Sequence, residues 1–65
     1  MRRRDGYVVY ETEAGDFEVW WSECDHSMIQ VDKVEWQGLS VREHLPGHFM
    51  DAISDLAAQD YRGEL

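Results

Sequence analysis

The chain holds one cysteine, one proline, six basic residues and no long apolar run, and each scarcity excludes a class of protein. A lone Cys24 cannot close an internal disulfide, which excludes the stapled framework of small secreted domains. No apolar stretch approaches the ~18 residues that span a bilayer. The start, Met1-Arg2-Arg3-Arg4-Asp5, is basic but no apolar segment follows it, so a signal peptide is not expected. A soluble protein of the cytoplasm is the expectation. Glycine-rich phosphate loops are missing, and no Ser or Cys stands beside a base in a recognisable frame. Carboxylates can do acid–base chemistry only in a cleft, which an open sheet face lacks. Catalysis is therefore not expected.

Basic residues are scarce and also clustered. Arg2, Arg3 and Arg4 are half of the six, and residues 5–65 set 14 acids against Lys33, Arg42 and Arg62, a balance of −11 (3 minus 14). Phosphate contacts need clustered Lys and Arg, so direct binding of nucleic acid is excluded for this surface. The Arg triplet reads as part of a disordered tail over residues 1–5.

What is present suits a small globular fold. At 65 residues the chain is one domain, near the lower limit of what folds without staples. Hydrophobic residues make up 43% and aromatics 12%, which is globular rather than disordered. Tyr7–Thr12 and Asp16–Glu23 are rich in aromatic and β-branched residues and read as strands around an Ala14-Gly15 turn. This register places Thr12 opposite Phe17, Tyr10 opposite Val19 and Val8 opposite Trp21 on an apolar face. The other face pairs Glu13 with Asp16, Glu11 with Glu18, Val9 with Trp20 and Tyr7 with Ser22. A slip of one residue would mix the two faces.

Cys24-Asp25-His26-Ser27 reads as a loop and Met28–Trp36 as a third strand. Its apolar phase changes midway, from Ile29 and Val31 to Val34 and Trp36, so a β-bulge is expected at Asp32-Lys33. Two cross-sheet acidic rows follow, Glu11–Glu18–Asp32 and Glu13–Asp16–Glu35, with Val9–Trp20–Gln30 beside them. Gly38 is expected to end the sheet. Ser40-Val41-Arg42-Glu43 has capping-box spacing for a short helical turn. Pro46 then opens the main helix. Phe49, Ile53, Leu56, Ala57 and Tyr61 form its apolar stripe, Asp51, Asp55, Gln59 and Arg62 its wet face, and Gly63 its stop. The predicted fold class is α+β, a three-stranded antiparallel sheet with one C-terminal helix on one face. Val8, Tyr10, Phe17, Val19, Trp21, Ile29, Val31, Val34 and Trp36 would meet Phe49, Ile53, Leu56 and Ala57 in the core.

The helix covers one face only, leaving Glu11, Glu13, Asp16, Glu18, Asp32 and Glu35 open to solvent with Trp20 among them. A solvated face ordinarily needs polar residues, and Glu is common. Here, however, only Lys33 is nearby to balance six acids. Like charges opposite one another weaken a sheet by roughly 0.2–1 kcal/mol per pair. Such a face fits a basic groove on another protein, one that normally holds nucleic acid. Trp20 has the make-up of an interface anchor with a charged rim. Cys24, His26, His44 and His48 only loosely match zinc spacing, and Pro46 separates the last two, so they read as loop and surface residues with no metal or cofactor.

The stretch VDKVEWQGLSVREHLPGHFMDAISDLAAQDY resembles small phage-encoded accessory proteins, in which a strand ending in Gly leads to an amphipathic acidic helix. In size, acidity and missing catalytic residues the whole chain is similar to the acidic anti-CRISPR proteins. That resemblance implies a non-enzymatic nucleic-acid mimic acting in the host bacterial cytoplasm. It would block the DNA-binding groove of a CRISPR surveillance complex, with type I the expectation. The alternative is a regulatory adaptor that binds a host protein through an apolar patch of Trp20, Val9 and Met28. Repulsion between copies at −8 each favours a monomer over pairing through Tyr7–Tyr10.

Overall fold

A computed structural model describes residues 3–25 and 28–65. Among the described residues, four strands precede the helix: β1 Asp5–Thr12, β2 Gly15–Glu23, β3 Ile29–Trp36 and β4 Leu39–Ser40. A 3-10 turn at Arg42–His44 leads into α1, Gly47–Arg62. The sheet is antiparallel in the order β1-β2-β3-β4, and α1 packs across one face, an α+β arrangement.

The apolar phase of each strand explains the packing. Val8, Phe17, Val19, Trp21, Val31 and Val34 are buried beneath Ile53 and Ala57, with Tyr10, Ile29, Trp36, Phe49, Leu56 and Tyr61 packed around them. Every residue expected in the core lies in this cluster. Val19, Val34 and Ile53 are fully buried and mark its centre. Gly63 ends α1 in the left-handed conformation, its amide reaching back to Asp60. Pro46 stands just before the helix, and its carbonyl accepts the amides of Phe49 and Met50 at 3.0 Å each.

Strand register differs from expectation by two residues in both hairpins. In β1–β2, Tyr10 faces Phe17, Val8 faces Val19 and Gly6 faces Trp21. The turn centres on Glu13-Ala14 rather than Ala14-Gly15. The Thr12 hydroxyl accepts the Ala14 amide at 3.1 Å and donates to the Gly15 carbonyl at 2.8 Å, while Gly15 takes φ 117° after it. In β2–β3, Trp21 faces Val31 and Val19 faces Val34. The slip occurs because Glu23 already pairs with Ile29 and the Cys24 amide bonds the Met28 carbonyl, which tightens the connection. His26 and Ser27 of the expected loop lie outside the described residues. The bulge falls where the apolar phase placed it, with Asp32 unpaired between Val31 and Lys33.

The sheet also continues past Gly38, which was expected to end it. Gln37 at φ 52° and Gly38 at φ 80° form a tight hairpin whose two central residues both need positive φ, a geometry that favours glycine. β4 then sets Ser40 beside Glu35, so Ser40 belongs to a strand and does not cap the 3-10 turn, which has no side-chain cap. β3 is therefore not an open edge at this end. Beyond β4 the Val41 amide bonds the Val34 carbonyl at 2.9 Å, and Arg42 Nε donates to the Val31 carbonyl at 2.8 Å.

Part of the segment expected as a tail over residues 1–5 is held against the fold. Asp5 opens β1, and Arg4 is held on both sides. Its backbone exchanges hydrogen bonds with Glu23, and its guanidinium donates to the Tyr61 carbonyl at 2.9 Å while lying 4.8 Å from that ring's centre. Met1 and Arg2 lie outside the described residues.

Candidate functional site

The face of the sheet opposite α1 carries the residues singled out above. Alternation along β1 and β2 turns Tyr7, Val9, Glu11, Asp16, Glu18 and Trp20 outward, because their neighbours on the other phase are committed to the core. Past the Asp32 bulge, Lys33 and Glu35 join them, Lys33 opposite Trp20 and Glu35 opposite Glu18.

The two-residue slip keeps Glu11, Asp16, Glu18 and Glu35 on this face but regroups them. Glu11 lies opposite Asp16, and Glu18 stands between Val9 and Glu35, with Ser40 completing that row. Glu13 is in the hairpin turn, not opposite Asp16, and Asp32 sits exposed at the bulge rather than beside Glu18. The two continuous acidic rows are thus replaced by two acidic pairs, Glu11–Asp16 and Glu18–Glu35, flanked by single acids. Directly opposed side chains have Cβ atoms ~4.5–5.5 Å apart, so each pair concentrates negative charge locally.

The next row is aromatic and cationic. Trp20 lies between Tyr7 and Lys33, not between Val9 and Gln30. The Tyr7 and Trp20 rings are 5.1 Å apart, and Lys33 Nζ sits 4.2 Å from the Trp20 ring centre. The same ammonium pairs with Glu35 at 3.3 Å, and the Tyr7 hydroxyl donates to Glu18 at 2.9 Å. That bond raises the Tyr7 phenol above its ordinary value, because ionisation would place two negative oxygens together. Trp20 is consequently half-buried, while Tyr7 and Val9 are 47% and 38% exposed. Met28 is exposed at the far end of β3, separate from this cluster.

Beyond Trp20 a groove of about 370 Å³ opens, lined by Asp5, Gly6, Tyr7, Trp20, Trp21 and Asp32. Gln30 Nε2 donates to Asp32 Oδ1 at 3.1 Å and fixes one of its oxygens. On the other side of the bulge, Asp32, Lys33, Ser40, Arg42, Glu43 and His44 line a second hollow of about 230 Å³. Both signs of charge meet in that hollow, and Arg42 is partly committed to the Val31 carbonyl.

The sequence reading placed Tyr7 on this face but opposite Ser22, and did not count Lys33 or Asp5 in the site. A turn centred on Glu13-Ala14 would have found Tyr7 opposite Trp20, since Thr12 and Gly15 are both suited to flank it. Among the described residues, no group of three or more His, Cys, Asp or Glu side chains is placed to hold a metal ion, and His26 of the loose zinc pattern lies outside them. No helix among the described residues is long and apolar enough to cross a membrane. No family model, curated protein or solved structure matches the chain.

Proposed function

We propose that the chain is a non-enzymatic, protein-binding inhibitor whose outer sheet face occupies a basic groove that otherwise holds nucleic acid. The observation that carries this reading is the pair of acid pairs, Glu11–Asp16 and Glu18–Glu35, on a face that, among the described residues, presents one basic residue, Lys33. Lys33 is itself engaged with Glu35 and Trp20, so it offsets one acid and leaves the field of the others. Successive acids along the face fall at strand spacings, comparable to the repeat of phosphates on a nucleic-acid backbone. Resemblance to acidic anti-CRISPR proteins makes a type I surveillance complex the first partner to test.

The test is displacement of a labelled DNA duplex from such a complex. The parent chain is expected to displace it, with potency that falls steeply as salt rises, because exposed charge is screened. The triple variant Glu11→Lys, Glu13→Lys, Asp16→Lys alters only exposed positions near the hairpin end and is expected to lose displacement while staying folded. Equal potency of parent and variant would overturn charge mimicry.

A second reading keeps one observation in its favour, the exposure of Tyr7 and Val9 beside Trp20. In it the partner is a host protein held by an apolar anchor, the acids give solubility only, and salt has little effect. Trp20→Ala would then cost more than ~2 kcal/mol of binding, as buried aromatic anchors do.

A further inference from the structure

We propose that the groove beside Trp20 receives a single arginine side chain of the partner protein, its guanidinium lying against the aromatic wall and bonded to Asp5 and Asp32. This rests on the acidic-face reading and names the contact at its centre. The lining combines two things a guanidinium requires. Tyr7 and Trp20 offer aromatic surface, and Asp5 and Asp32, both exposed, offer carboxylate oxygens. The chain itself shows the pairing on this same indole, where Lys33 Nζ lies 4.2 Å from the Trp20 ring centre and 3.3 Å from Glu35. There a cation, an indole and a carboxylate already form one unit, so the ring's environment is favourable to positive charge.

Charge complementarity selects a cation, and shape selects arginine over lysine. A lysine ammonium is a compact, strongly hydrated point charge, whereas the guanidinium is flat, weakly hydrated and presents five donors in a fixed fork. Carboxylates contributed by two different strands suit a fork better than a point. A groove of about 370 Å³ also has room for the methylene stem, which can lie along apolar ring surface. The Trp21 indole points away from the groove into the core, where it donates to Asp60 at 2.9 Å, so it brings no competing donor to the outer face.

The experiment titrates the full chain with heptaarginine and, separately, heptalysine, following the Trp20 indole N–H resonance assigned with Trp20→Phe. Heptaarginine is expected to bind at least about fivefold tighter, the effect of one added cation–π and forked contact. In Asp5→Asn/Asp32→Asn that preference should fall to near unity. In Glu11→Gln/Asp16→Asn both peptides should weaken alike with the preference kept. Equal binding of the two peptides by the parent, or tighter binding of heptalysine, overturns the arginine groove while leaving the acidic docking face standing. An Asp5→Asn/Asp32→Asn variant that keeps the full preference overturns it too. Binding of neither peptide overturns both.

Discussion

Gly6→Ala is the substitution that most sharply probes how this small sheet meets its helix. Gly6 lies opposite Trp21, and a methyl group at Gly6 would stand 2.3 Å from Trp21 Cζ2 and 2.4 Å from Cε2. Ordinary contact begins at about 3.4 Å, so the ring must withdraw by over an ångström. It has nowhere to go cheaply, because Trp21 is 2% exposed, packs edge-on against Tyr61 at 5.7 Å and donates to Asp60. Overpacking a core site costs about 1–3 kcal/mol. Weakening the indole hydrogen bond adds about 0.5–1.5 kcal/mol. Against these, alanine restricts the unfolded chain and returns about 0.4–1 kcal/mol. A net loss of about 2 kcal/mol is expected, which lowers the melting temperature by roughly 8–16 °C in a domain of this size. Urea unfolding followed by tryptophan fluorescence measures it, with an unchanged slope showing that compactness is retained. The cost should shrink in a Trp21→Phe background, whose smaller ring frees the contested space. A Gly6→Ala protein within ~0.5 kcal/mol of the parent would refute the wedged indole.

Three further outcomes follow from the same geometry. Lys33→Met removes an ion pair and a cation–π contact and leaves Glu18 facing Glu35, so stability should drop by about 1 kcal/mol, with a smaller difference in high salt, read by chemical denaturation. The Tyr61 hydroxyl, then the Arg4 amide, hold Glu23 below the ordinary carboxylate value of 4.5. A depressed folded value stabilises above that ordinary value and is lost as pH falls through the folded one, so Glu23→Gln should be less stable than the parent at neutral pH and converge on it as pH falls through the depressed value. Light scattering at micromolar concentration should return the single-chain mass of 7.7 kDa, whereas twice that mass would place the seam on the open edge of β1.

Much of this was legible in the sequence because face assignment depends only on parity. The alternation of Val8, Tyr10, Phe17, Val19 and Trp21 with Glu11, Asp16, Glu18 and Trp20 survives any even slip, so core and outer face were readable before register was. The phase change in β3 located the Asp32 bulge for the same reason. Register was not legible, since it is set by which residues occupy the turn, and the hydrogen bonds of Thr12 and the positive φ of Gly15 moved that turn by one position. β4 was hidden because two residues carry no periodicity, and Gln37-Gly38 resembles a chain end as much as a hairpin. The Trp20–Lys33 stack lay beyond the sequence because it exists only in the observed register.

The measurement that tests the docking face most directly is a residue-by-residue NMR map of the isotope-labelled chain titrated with heptaarginine. Acids stand on two sides of the molecule, Glu11, Asp16, Glu18 and Glu35 on the outer sheet face and Asp51 and Asp55 exposed on α1. If the arrangement on the sheet matters, shifts should concentrate at Tyr7, Glu11, Glu18, Trp20 and Asp32 and leave Asp51 and Asp55 unmoved. Shifts spread equally over the helix and the sheet would show that net charge alone attracts the peptide, and would contradict a built docking face.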